Sequence, residues 1–417
     1  MGAGEGRGRT EGRQVGLAAV VLLLFGTLGV STAFGMLLLL PLYVQELGGN
    51  EANFGVILSS ATLTAVLCIG LLIRYPEALR PHAVVALAIA IYAVGSAGAA
   101  LVTETWTPLV GIGVLLGTTW AVIYTATPIV MSQMVTDEGR ATYFGYLTGT
   151  QQIGIGVGPV IARVLVETDL GFRGTFLGAS MICLGAAGLT VAVGFLTADP
   201  RTEDVEAGGG VAADKKVVSF GEAIRCILRS EAVFSLVMIL LFACLFTSMT
   251  QFQTTYASSQ GIDYSVFYVS YTVTVIFSRF VLARVALRFD TRLVIASAVS
   301  VMALGMAAFL LVGSSVLLYS AASGLLGLGY GLALPNVQAQ AVNVSEESVR
   351  PRILPMAGLL FQVAILGFPL VAGWIIAGLG YPSLFTVLVF FSLVLTIIGW
   401  WRYAVVRRKR GWRPTLS

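Results

Sequence analysis

At 417 residues, with 57% hydrophobic and only 11% charged residues and a mean hydropathy of +0.89, the chain has less than half the charge density of a soluble domain, about 25%. That excludes a water-soluble globular protein and points to one embedded in a bilayer. The net charge of +4 implies no nucleic-acid partner, because the basic residues are distributed as membrane topology requires.

The chain opens with MGAGEGRGRTEGRQ, a short basic tail (1–14) expected to be unstructured. The apolar run that follows is about 25 residues long with no small-residue cleavage site, so it reads as a retained helix rather than a signal peptide. Twelve segments are then long enough to cross about 30 Å of hydrocarbon. They lie near 15–40, 54–73, 82–103, 107–131, 142–166 and 172–197, and then near 232–256, 265–287, 292–313, 315–340, 354–378 and 382–405. The long polar break at 199–231, with Pro200, Gly208–Gly210, Lys215–Lys216 and an amphipathic piece from Phe220 to Arg229, separates two groups of six. The predicted architecture is therefore all-α. An N-terminal six-helix bundle spans 15–198, a linker 199–231 and a C-terminal bundle 232–405, followed by a basic tail from 406.

All Asp and Glu fall in the termini or in short polar gaps. Apart from Arg173, and from Arg163 and Arg279 inside spans, the basic residues lie in the termini, the even-numbered connections and their helix ends. By the positive-inside rule both termini and the linker are cytoplasmic. The cluster Arg407–Arg410 then reads as an anchor to anionic lipid.

The two halves repeat. A shift of 210 carries Leu115, Leu116 and Gly117 onto Leu325, Leu326 and Gly327, and Arg140 onto Arg350. It also carries Gln152 onto Gln362, Pro159 onto Pro369 and Ala162 onto Ala372. Repeated halves are a signature of secondary transporters. The fifth span carries Gly154, Gly156 and Gly158 just before Pro159 in a stretch without charge from Ala141 to Ala162. In water such glycines weaken a helix by about 1 kcal/mol each. In lipid they let a neighbouring helix approach closely, so this span reads as a tightly packed, kinked helix.

With these features the chain resembles, over essentially its whole length, the major facilitator superfamily, in particular its drug and metabolite efflux antiporters. Gly154-x-x-x-Gly158-Pro159 resembles the fifth-helix antiporter motif, which implies helix packing and gating. The loop signature between helices two and three is degraded to GLLIRYPEALRP, and its second copy reads ARVALRFDTR. That copy keeps Arg284, Arg288 and Arg292, has Leu287 in place of the aspartate, and offers Asp290 as a contact for Arg288 or Arg292. Gly113 stands where proton-coupled drug exporters carry an arginine on helix four.

The resemblance implies a substrate path between the bundles, lined by helices one, four, seven and ten. Candidate lining residues are Trp120, Tyr124, Thr125 and Thr127 on helix four, and Thr247, Thr250, Gln251 and Gln253 on helix seven. Helix ten supplies Tyr330, Asn336 and Gln338. Trp120 and Tyr330 are related by the 210 shift, and a large aromatic at each helix centre suits a flat or amphipathic substrate. Helix packing is the alternative role for each. Gln152 and Gln362 are amides that must find a partner in lipid, either a neighbouring helix or a substrate. Gln151, one residue on, points elsewhere.

Arg279 follows Ser265 by 14 positions, roughly 21 Å along helix eight. An arginine at that depth binds an anion, gates, or snorkels to the headgroups. Arg163 has Glu167 one turn later as its partner.

No span contains an acid, and the single histidine, His82, sits at a loop edge. Proton coupling therefore falls to loop-edge acids such as Glu46, Glu51, Glu77 or Asp137, or is absent. The same scarcity leaves nothing from which to assemble an enzyme site. Cys68, Cys183, Cys226 and Cys244 lack metal or redox spacing, so neither cofactor nor metal is expected. No phosphate-binding Gly-x-x-x-x-Gly-Lys-Ser/Thr loop appears, which argues against ATP-driven export. The expected activity is efflux of a drug-like compound or metabolite across the cytoplasmic membrane by alternating access, by a monomer, with coupling to protons as one option. The alternatives are a facilitator or uptake carrier for a sugar or organic anion, and a non-transporting membrane sensor.

Overall fold

The computed structural model describes residues 4–74, 80–135, 140–197, 230–286, 288–345 and 350–411. Glu77, Asp137, Leu287 and almost all of the linker, including the piece from Phe220 to Arg229, lie outside the described residues.

Among the described residues the chain forms twelve long helices and no strand. α1 runs Gly4–Met36, tightens into a 3₁₀ turn at Leu37–Leu39 and continues as Leu40–Glu46. The tail expected to be unstructured is thus helical from Gly4. A helix already nucleated by an apolar span extends one hydrogen bond at a time, without a second nucleation cost. α2 is Glu51–Ser59 and Thr62–Arg74. α3 is Pro81–Leu101, α4 Leu109–Met134, α5 Arg140–Val166 and α6 Gly171–Thr197. α7 is Ala232–Gln251 followed by Gln253–Ser259. α8 is Ser265–Phe277, a π-helical turn Ser278–Leu282, and Ala283–Ala286. α9 is Thr291–Phe309, α10 Val316–Asn343, α11 Arg350–Leu379 and α12 Tyr381–Gly411.

Eleven of the twelve meet the length and hydropathy expected of a membrane span. The exception is α5, whose glycines, threonines and paired glutamines dilute its apolar content. The exposed faces are apolar at helical spacing: Leu63, Leu67 and Leu71 on α2, and Phe390, Leu393 and Ile397 on α12. Such faces belong against lipid, not water.

Contacts divide the chain into two compact units. One comprises Met1–Leu37, Leu63–Thr103 and Gly111–Val218, the other Leu38–Thr62, Glu104–Val110 and Ser219–Ser417. The second unit thus incorporates the far end of α1 and the first part of α2. In the first unit α1 packs on α5 and α6, and α3 on α6. In the second, α7 packs on α11 and α10, and α9 on α10 and α12.

Corresponding helix pairs of the two halves are each joined by a hydroxyl pair, though not at positions related by the 210 shift. Thr64 and Thr118 share a hydroxyl–hydroxyl bond of 2.5 Å between α2 and α4. Ser270 and Ser320 share one of 2.8 Å between α8 and α10. Most other hydroxyls in the spans turn to their own helix, as Thr32 does to Leu28 O, Thr119 to Leu115 O and Thr127 to Ile123 O. In hydrocarbon that is the cheapest way to satisfy a polar group.

The α1–α5 contact explains the glycine motif. A Cβ added at Gly158 would lie 2.5 Å from Gly35 Cα, and one at Gly154 would lie 2.6 Å from Ser31 Cβ. The two backbones touch, and only hydrogen fits between them. Pro159 sits inside α5, where its missing N–H leaves a carbonyl free one turn earlier. Gly158→Leu is expected to lower the thermal stability of the detergent-solubilised protein by about 1–3 kcal/mol, as overpacking does. Gly188→Leu, where a side chain meets nothing within 4 Å, is expected to leave the melting curve unchanged.

Candidate functional site

Both units carry a face-to-face aromatic pair between their first and fourth helices. In the first unit Trp120 of α4 stacks on Phe34 of α1, with ring centroids 3.9 Å apart and an interplanar angle of 18°. Tyr92 and Tyr124 flank the indole at 6.4 Å each. In the second unit Tyr330 of α10 stacks on Phe246 of α7 at 5.2 Å and 18°. Phe242 and Tyr271 lie at 6.1 Å from Tyr330, and Phe361 of α11 lies at 6.3 Å from Phe246. Trp120 and Tyr330 are related by the 210 shift, and their partners lie on the corresponding helices α1 and α7, although the shift carries Phe34 onto Cys244 rather than Phe246. The partners escaped the sequence reading because an apolar phenylalanine on an apolar helix carries no signal of its own.

The second unit also encloses a crevice. Leu245, Phe246, Met249, Thr250, Tyr271 and Tyr330, with Leu326, line a narrow cleft of about 10 Å³, room for about one water. The wall is apolar and aromatic except for three hydroxyls, those of Thr250, Tyr271 and Tyr330. Thr250 Oγ1 is used up on Phe246 O at 2.7 Å. The Tyr271 hydroxyl is buried with no hydrogen-bond partner. A buried donor left unmade costs about 1–3 kcal/mol, so the Tyr271 phenol is a polar group of the wall available to a ligand.

Gly327 and Gly331 let α8 approach α10 at this point: a Cβ at Gly327 would lie 2.5 Å from Tyr271 O, and one at Gly331 would lie 2.9 Å from Ser278 Oγ. Ser278 also donates to Leu328 O at 3.2 Å. Ser278 opens the π-helical turn that includes Arg279. An extra residue in one turn rotates the side chains that follow, and π-turns recur at functional sites. Arg279 is half-buried and its charge acts on the Tyr271 hydroxyl.

The amides take different roles. Gln152 and Gln362 are 5% and 3% exposed, and the Nε2 of each is buried without a partner. Gln151 is buried beside Gln152, so both amides of the pair are inside. Gln340 of α10, not singled out from the sequence, is buried with its Nε2 unpaired as well. Gln253 is committed to structure, because its Oε1 accepts from Tyr319 at 2.8 Å. Gln251 is buried. Asn336 turns back on its own helix and donates to Leu332 O at 2.7 Å. Thr125 does likewise to Ala121 O, while Thr247 reaches across to α11 at Ile365 O, 2.9 Å away.

Of the cationic candidates, Arg288 is exposed and Arg292 half-buried, the latter with its Nε unpaired. Asp290 caps α9 by accepting from Arg292 N at 2.9 Å. Arg163 pairs with Glu167 at 3.4 Å. Among the described residues no group of three His, Cys, Asp or Glu side chains could hold a metal ion.

The chain belongs to the Major Facilitator Superfamily, whose family model matches residues 20–324 and 264–416. No curated protein sequence matches it. Three solved structures share its fold. A bacterial homologue of the human lysosomal transporter Spinster, inward-facing and unoccupied, is 12% identical, with a TM-score of 0.70 and coverage of 93% of this chain and 96% of that one. The nucleoside transporter NupG is 16% identical at a TM-score of 0.69, covering 92% and 98%. The human organic anion transporter MFSD10 is 14% identical at 0.62, covering 92% and 99%. The chain is thus a multi-pass, all-α membrane protein of a transporter superfamily.

The two buried phenols are expected to behave oppositely. Tyr319→Phe strands Gln253 Oε1 and is expected to destabilise the protein by about 1–3 kcal/mol in a detergent melt. Tyr271→Phe removes a hydroxyl that bonds nothing and is expected to leave stability unchanged or slightly raised.

Proposed function

We propose that this chain is a secondary transporter that exports a small planar organic solute by alternating access, acting as a monomer with both termini cytoplasmic. The crevice of the second unit carries the reading: an aromatic wall with one unsatisfied phenol at Tyr271. The crevice is closed to a ring in this state, with Tyr330 stacked on Phe246; opened during the transport cycle, such a wall takes a flat ring and offers it one hydrogen bond. Aromatic stacking contributes about 0.5–1.5 kcal/mol beyond the area buried.

A sugar needs many side-chain hydrogen bonds, and here Gln253, Asn336 and Thr250 are already engaged. Export is supported by the antiporter-like Gly154, Gly158 and Pro159 and by the close α1–α5 contact they create. Trp120, Tyr124, Gln152, Gln251 and Gln362 remain candidates for contact with the solute, and Arg288 and Arg292 for gating. A second reading, an organic anion, is favoured by the Arg279 charge acting at Tyr271.

The test is flux in proteoliposomes with three probes: a neutral polycyclic aromatic dye, salicylate and glucose. Transport of the aromatic probes but not glucose is expected, with Tyr271→Phe reducing it about ten-fold, the loss of one hydrogen bond. Arg279→Gln is expected to slow salicylate more than the neutral dye if the solute is an anion. Glucose flux equal to that of the dye, or a Tyr271→Phe variant with the parent rate, overturns the assignment.

A further inference from the structure

Acids are absent from the middle of the spans, yet one carboxylate is built into the packing of the second unit. Glu51 is the first residue of α2. Asn50 and Asn53 close a reciprocal cap around that helix start, with Asn50 Oδ1 accepting from Asn53 N at 3.1 Å and Asn53 Oδ1 from Asn50 N at 2.9 Å. A helix start is where a negative side chain is received best. Gly373 of α11 packs against the Glu51 backbone so closely that an added Cβ would lie 2.9 Å from its carbonyl carbon, and Gly55 does the same against Leu370 at 3.0 Å. The residue is thus pinned between α2 and α11 by its main chain.

Its side chain ties in three more elements. Glu51 Oε1 accepts from Gln45 Nε2 of α1 at 2.8 Å and from the Tyr381 hydroxyl of α12 at 2.9 Å. Thr255 Oγ1, on the short continuation of α7, lies 2.6 Å from the same Tyr381 hydroxyl. Thr255 gives its own proton to Phe252 O at 3.2 Å, so the Tyr381 proton is shared between Glu51 and Thr255. Tyr381 follows Gly380, whose φ of +81° makes the α11–α12 turn and is open to glycine at little cost. One carboxylate therefore holds the ends of α1, α7 and α12 to α2.

The other acids beside these elements are Glu46 and Asp263, the latter accepting from Ser265 N at the start of α8. Glu46 at the end of α1 is exposed, Tyr256 on the continuation of α7 packs its ring on Tyr381 at 5.3 Å, and the sequence from 353 to 401 in α11 and α12 contains no acid, base or histidine.

We infer that Glu51 is a proton-binding latch: ionised it holds α1, α7 and α12 together at this end of the unit, and protonation releases them. The sign follows from the bonds. Both donors approach a carboxylate, and hydrogen bonds to an ionised acceptor are roughly twice as strong as neutral ones. The latched arrangement favours the ionised form, the parted one the protonated form, and a falling pH therefore shifts the population towards opening. This deepens the transport reading by giving it a coupling ion, and it rests on that reading for its role. The proton enters at the end of the unit where the solute leaves.

The test requires no substrate, so its failure is distinct from a failure of the transport reading. Thr254 is fully buried and its Oγ1 contacts Leu38 O of α1 at 3.2 Å, so a cysteine there reports the parting of α7 from α1. Ser258, exposed on the same turn of chain, serves as the reference. With the four native cysteines replaced by serine and the full chain in lipid nanodiscs, the maleimide labelling rate of Thr254→Cys is divided by that of Ser258→Cys, which cancels the reactivity of the thiol itself. The ratio is expected to rise about five-fold between about pH 7.5 and 3.5, a range that brackets an ordinary glutamate near 4.3. Glu51→Gln is expected to make it independent of pH. Tyr381→Phe, which keeps the carboxyl and removes its donor, is expected to raise the ratio at neutral pH and shrink the response. A ratio that does not change with pH, or the same rise in Glu51→Gln or in Tyr381→Phe, overturns the inference.

Discussion

Inside a bilayer a polar group has no water to fall back on, and the sequence is arranged around that constraint. The backbone is satisfied by helices. Serine and threonine hydroxyls are satisfied mostly by the carbonyl one turn back, as Ser96 bonds Tyr92 O and Thr190 bonds Ala186 O. Where a hydroxyl reaches another helix it joins elements that must stay together, as Thr247 joins α7 to α11. Against this background the few buried groups without a partner stand out. Among the described residues, Tyr271, Gln152, Gln362 and Gln340 are four of the places where a buried polar atom is not used for the chain's own assembly.

The same constraint explains the glycines. Apolar side chains gain little by meeting each other rather than lipid, so helix association relies on close packing. Gly35, Gly154 and Gly158 let α1 and α5 meet backbone to backbone. In the second unit α8 and α10 meet over Gly327 and Gly331, and α2 and α11 over Gly55 and Gly373. Each close approach also positions a chemically distinctive residue: Tyr271 and the π-turn with Arg279 in one case, Glu51 in the other.

The internal repeat has been kept for architecture and diverged for chemistry. Paired hydroxyls at Thr64–Thr118 and Ser270–Ser320, prolines at 159 and 369 and stacked rings at Phe34–Trp120 and Phe246–Tyr330 recur. The free phenol and the neighbouring arginine belong to the second unit alone, because the residue 210 positions before Tyr271 is Ala61. The first unit has a tighter stack in the matching place, and its indole face is covered by Phe34.

Twelve spans, their order and their repeat were legible in the sequence, because hydropathy over about 20 residues is set by composition alone. The glycine motif on α5 was legible for the same reason: a run of glycines in an apolar helix has one main use. Arg163 with Glu167 followed from helical spacing. Side-chain partners were not legible. Asn336 and Gln253 look like lining residues in a sequence and are bound to Leu332 and Tyr319 in the fold. Phe34, Phe246 and Tyr271 look like ordinary core and form the aromatic sites. Glu51 reads as one more loop-edge acid until Tyr381, 330 residues away, donates to it. Sequence determines which residues enter the membrane, since that depends on each segment by itself. Which polar group is satisfied depends on what a distant helix brings within 3 Å, and only the tertiary structure decides that.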